Sequence, residues 1–192
     1  MDLISQMVTQ RLSGVASQQI AARLGVSEST ANTAIQIAVP LILSALARNA
    51  ARPGGAENLH QAVTNDHDGS ILDNLAGYLG NPQQANGAGI LGHVLGDQRA
   101  GVESNLAQAT GMDQNSAGSL LEMVAPLVMG AVGRTQQENS FDPNRLANYL
   151  GQQQQQQAEA PGMMGVLSSM LDSNKDGSVA DDLTRIAGSF FK

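Results

Sequence analysis

An all-α fold is predicted by three observations. Hydrophobic residues make up 42% of the 192-residue chain, yet aromatics are only 3% and Trp is absent. Such an interior must be assembled from Ala, Leu, Ile, Val and Met, which suits close-packed helices better than a sheet of aromatic and β-branched side chains. Apolar residues recur at helical spacing, as in Leu3, Ile4, Met7, Val8 and Leu12. Finally, the pattern repeats. Pro126-Leu127 stands 86 residues after Pro40-Leu41, and at the same offset Ile90 follows Ile4, Val94 follows Val8, Ala107 follows Ala21, Gly111 follows Gly25 and Arg134 follows Arg48. A gapless register of this length reads as an internal duplication.

The elements follow in order. The opening helices are carried by residues 3–12 and by Ile90, Leu91, Val94 and Leu95. Short helices come next over residues 17–24 and 103–110, each followed by a glycine, Gly25 or Gly111, where a left-handed cap is wanted. Ser27 and Asp113 are natural N-caps for two long helices that run to Arg48 and Arg134 through Pro40 and Pro126. A proline inside a helix removes one hydrogen bond and crowds the preceding turn, so a kink is expected near each.

After the long helices the copies diverge. Arg52-Pro-Gly-Gly55 predicts a turn, followed by a helix over residues 57–63, an Asp68-Gly-Ser loop and a helix ending near Gly80. Asp176-Gly-Ser-Val-Ala-Asp-Asp-Leu183 echoes Asp68-Gly-Ser-Ile-Leu-Asp-Asn-Leu75 at an offset of 108, larger by 22 residues than that of the helices. The second copy therefore carries an insertion. It includes a helix over residues 143–150 and six glutamines, 152–157, which read as a linker. The expected organisation is a first helical unit over residues 1–86, a second over 87–151, a Gln-rich linker over 152–161, and a C-terminal helical hairpin over 162–192 built from 163–171 and 179–190.

Gly89-Ile-Leu-Gly-His-Val-Leu-Gly96, the short helix and glycine after it, Leu120-Leu-Glu-Met-Val-Ala-Pro-Leu-Val-Met-Gly-Ala-Val-Gly133 and His67-Asp-Gly-Ser-Ile-Leu-Asp-Asn-Leu75 together resemble the YidB-like family of bacterial proteins of unknown function. The similarity spans most of the chain outside the glutamine tract. It implies an all-helical fold and a bacterial origin, and it brings no catalytic residues.

Charge and composition narrow the function. A net charge of -7 argues against nucleic acid, whose binding draws on Lys and Arg. Residues 19–35 have the outline of a helix-turn-helix reader, but positions 27–47 contain no Lys or Arg, and the counterpart segment carries Asp113 and Glu122. Both read as packing motifs. With no Cys there is no disulfide, thiolate nucleophile or thiolate metal site, and the start Met-Asp-Leu-Ile-Ser-Gln carries an acid where a secretory signal carries bases, so cytoplasm is the expected location. The apolar runs 37–47 and 123–133 fall short of the roughly 20 residues that span a bilayer, and no membrane span is expected.

One segment has metal-ligand spacing. Asp172, Asn174, Asp176 and Ser178, closed by Asp182, offer oxygens in the pattern of a calcium loop with Gly177 at its sharp turn. Against calcium, position twelve of the loop is Leu183, and Ser178 with Asp181 also reads as a capping box, repeated by Ser70 with Asp73. Gly92 and Gly96, four apart, read as a flat helical stripe for close packing rather than a phosphate cradle. His60 and His67 would share a helical face only if the helix continued through the turn-like residues 65–69. No nucleophile elbow or Glu-x-x-His motif is present, so the expectation is a non-enzymatic structural or interaction protein that forms a homo-oligomer through the proline helices or the Gly92/Gly96 stripe and engages a protein partner not identified by sequence. The alternative is a calcium-responsive binding module.

Overall fold

A computed structural model describes residues 3–158, and these are all helix and connecting turns. The elements are α1 (Leu3–Leu12), α2 (Val15–Leu24), α3 (Glu28–Ala50), α4 (Gly55–Asn65), α5 (Leu75–Gly80), α6 (Gly87–Leu95), α7 (Arg99–Thr110), α8 (Gln114–Asn139) and α9 (Pro143–Ala158), with 3-10 turns at Ser70–Leu72, Pro82–Ala85 and Gly96–Gln98. The C-terminal hairpin over 162–192, the loop from Asp172 to Asp182 and the Ser178/Asp181 pair lie outside the described residues.

Several helix ends form as their residues dictate. Gly25 and Gly111 adopt left-handed backbone (φ 69° and 73°) and close α2 and α7. The Ser27 hydroxyl accepts a hydrogen bond from Thr30 N–H, and the Asp113 carboxylate accepts one from Ser116 N–H, so both long helices begin on side-chain caps.

Those two helices are the centre of the molecule. α3 packs against α1, α2, α4, α6, α7, α8 and α9, and α8 against α1, α2, α3, α4, α6 and α7. Residues 38–47 and 123–133 are buried without interruption, as a helix that is apolar on every side requires. At 23 and 26 residues both helices have the length and composition to cross a membrane, although their apolar runs are shorter; here 72% and 83% of their apolar windows are buried inside the fold. Each continues as helix on both sides of its proline. Pro126 deprives the Glu122 carbonyl of its intrahelical donor. Gly87, the first residue of α6, lies against that carbonyl so closely that a Cβ there would collide with Glu122 O.

Four expectations are corrected. Residues 152–157 are not linker but the last turns of α9, which packs along α3 and α4. Glutamine is a competent helix former, and Leu146 and Leu150 anchor the helix in the core. The small residues of α8 serve the monomer: a Cβ on Gly130 would lie 2.6 Å from Ile71 Cγ2, and one on Gly133 would collide with His67 O, so the proline helices are not a free surface for a second copy. Gly96 has φ 52° and ends α6, while a Cβ on Gly92 would meet nothing within 4 Å; the pair makes no packed helical stripe. Ser70 and Asp73 form no capping box, because Asp68 Oδ1 takes the Ser70 N–H at 2.9 Å and Asp73 is engaged by an arginine of α8.

Candidate functional site

The Asp68-Gly-Ser segment is clamped to α8. Arg134 Nη2 donates to Gly69 O at 2.9 Å and to Asp73 Oδ2 at 2.5 Å. Gly69 is needed there twice over, since its φ is 92° and a Cβ would stand 2.8 Å from Arg134 Cβ. Ile71 then reaches Gly130, and Asn74 caps α5 through Gly77 N–H. Tyr78 on α5 donates its buried hydroxyl to Met123 O at 2.7 Å. Burial holds its phenol far above the usual range, keeping it a donor at any ordinary pH.

Beside this clamp the segment after α4 faces the start of α6 across two adjoining clefts of about 470 and 520 Å³, which share Asp66, His67, Asn86 and Ile90. The larger is floored by Leu46, Leu59, Ala62, Ile90, Val94 and Met129 and rimmed by Asn49, Arg52, Asn58 and His93. Asn49 ties its walls together, donating to His93 O at 3.2 Å and Val94 O at 2.9 Å and so capping the C-terminal carbonyls of α6. Asn86 enters α6 with φ 51°, a conformation Asn tolerates better than most residues.

His67 is half-buried at the junction of the clefts, and its pKa is lowered, first by burial; Asp66 and Asp68 pull it back up. The neutral imidazole is thus favoured by the fold. A group whose folded pKa lies below its unfolded value of about 6.5 leaves stability intact above that pH and removes it as pH falls below it. Stability measured by urea titration is therefore expected to decline from pH 7 towards pH 5, and the decline is expected to flatten in a His67→Gln variant. An unchanged slope in that variant would refute the assignment.

His60 is held apart from His67. α4 stops at Asn65, and His60 Nε2 lies 3.0 Å from Phe141 O and 3.2 Å from Gln136 Nε2. Among the described residues no group of three His, Asp or Glu could hold a metal ion. The first Asp-Gly-Ser loop spends its carboxylates on Ser70 N–H and Arg134 instead. What this site offers is shape and hydrogen-bonding edges around an apolar floor. Asn49, Asn86 and the clamp role of Arg134 were not legible from spacing, although Arg134 stood in the repeat register.

Among the described residues these features define an all-helical protein. The chain belongs to the DUF937 family, described as bacterial protein of unknown function, which matches residues 6–135 and agrees with the YidB-like resemblance. No curated protein and no solved structure matches the chain.

Proposed function

We propose that this protein is a non-enzymatic interaction module that binds a second copy of itself at the cleft between α4 and α6. The observation that carries the reading is the larger cleft, whose apolar floor from Leu59, Ala62, Ile90, Val94 and Met129 opens inside a polar rim. That is the arrangement of protein–protein interfaces, where a water-excluding apolar centre is ringed by hydrogen-bonding groups. The cleft lining carries both signs, Arg52 and Asp66, so two copies can meet there with opposite charges paired although each chain carries -7.

Gly92 gives a clean probe. It lies on α6 next to His93 of the rim, and a Cβ there meets nothing within 4 Å. Sedimentation equilibrium at micromolar concentration is expected to show dimers that Gly92→Leu weakens while leaving helicity unchanged. Monomers alone, or dimers indifferent to Gly92→Leu, would overturn the reading.

A further inference from the structure

Arg52 and Asp66 stand at opposite ends of α4, Arg52 in the turn before it and Asp66 as its C-terminal cap, and both line the larger cleft. The 11 residues of α4 separate them by about 16 Å of helix at 1.5 Å per residue. Between the two charges the lining is apolar, with Leu59 and Ala62 on the floor. We propose that two copies meet across this cleft about a two-fold axis that sets their α4 helices antiparallel, so that Arg52 of each copy faces Asp66 of the other. This arrangement rests on the cleft being the self-association surface, and it adds the orientation and the register.

Neither side chain is committed within its own chain. Among the described residues the ion pairs join Arg99 to Glu103 and Glu122, Arg134 to Asp73, and Arg145 to Asp142, while Arg52 and Asp66 are exposed and unpaired. Each also has a neighbour of its own sign. Arg48, four residues before Arg52 in the last turn of α3, has its pKa pushed down first by burial and then by the charge of Arg52. Asp68 follows Asp66 by two residues, and both carboxylates bear on His67 between them. A carboxylate brought to Arg52 offsets the repulsion at Arg48, and a guanidinium brought to Asp66 offsets that between the aspartates. Glu57, the acid in the first turn of α4, is not part of the cleft lining, and Arg134 is taken by Gly69 O and Asp73. Symmetry then selects the orientation. In a two-fold interface each contact occurs twice; antiparallel α4 helices pair opposite charges at both ends, whereas parallel ones set Arg52 on Arg52 and Asp66 on Asp66. Exposed rim charges add little affinity and act mainly by penalising the wrong orientation, so the buried area comes from the apolar floor.

Charge reversal of the full chain tests this by sedimentation equilibrium at low salt. Arg52→Glu and Asp66→Arg are each expected to weaken the dimer by about tenfold or more with helicity unchanged, because each places two like-charged pairs across the axis. Asp66→Arg makes the chain less acidic, so a loss there cannot come from general repulsion between acidic copies. An equimolar mixture of the two variants, or a single chain carrying both changes, is expected to recover dimers of parental strength, since opposite charges then face each other at both ends. A parent chain that dimerises and responds to Gly92→Leu but is indifferent to both reversals would overturn this register and leave the cleft as the interface. Reversals that weaken the dimer without recovery in the mixture would also overturn it, and a parent chain that is monomeric throughout would overturn the register and the cleft reading together.

Discussion

Replacing Gly133 by alanine is expected to destabilise the fold by about 3 kcal/mol and to lower the melting temperature by roughly 6–12 °C for a chain of this size. On propensity alone the change should help, since alanine is favoured over glycine within a helix by about 1 kcal/mol. Packing decides the sign. A Cβ at Gly133 would collide with His67 O and stand 2.9 Å from His67 C and 3.2 Å from Val63 O. These are backbone atoms, which cannot rotate aside as a side-chain tip can. Relief requires the end of α4 to lift from α8, which strains the bonds from Arg134 to Gly69 O and Asp73. Gly92→Ala is the matched control, because open space surrounds that position and only the propensity gain applies. Thermal denaturation followed by circular dichroism separates the two; a Gly133→Ala protein melting with or above the parent would show that the approach of α4 is looser than the geometry states.

Truncating Leu127 to alanine is expected to cost about 4 kcal/mol, towards the upper part of the range for buried leucines. Leu127 has 0% exposure and sits on α8, a helix packed by α1, α2, α3, α4, α6 and α7. With neighbours on every side the surroundings cannot collapse into the space, so a cavity term adds to the lost transfer energy. Its counterpart Leu41 is 8% exposed, and the same truncation there is expected to cost less, because water and a partly covered face relieve the void. Urea titrations of the two variants give the comparison. Equal losses would mean that α3 is as fully enclosed as α8.

Helix boundaries were the most legible part of this protein. Ser27, Asp113, Gly25 and Gly111 stop and start helices through bonds made within a few residues of themselves, so local sequence suffices to place them. The all-helical class followed likewise from an aromatic-poor, alanine- and leucine-rich composition. Where partners are remote, the reading weakened. The glutamines 152–157 looked like linker because their composition is polar, but α9 is held on α3 and α4 by Leu146 and Leu150 before the tract begins, and helix propagates into it.

The glycines show the same division. Gly92 and Gly96 look alike in sequence and face open space, whereas Gly87, Gly130 and Gly133 are each filled against another segment. A glycine records only that a side chain is missing, and the tertiary structure decides whether a turn, a neighbouring backbone or solvent takes the space. The sequence by itself determined an all-α chain whose long apolar helices must be enclosed, since its periodicity and caps act locally. Only the tertiary structure decided that those helices are enclosed within one chain, that Arg134 grips the Asp-Gly-Ser loop, and that a cleft remains open between α4 and α6, because each depends on atoms brought together from distant positions.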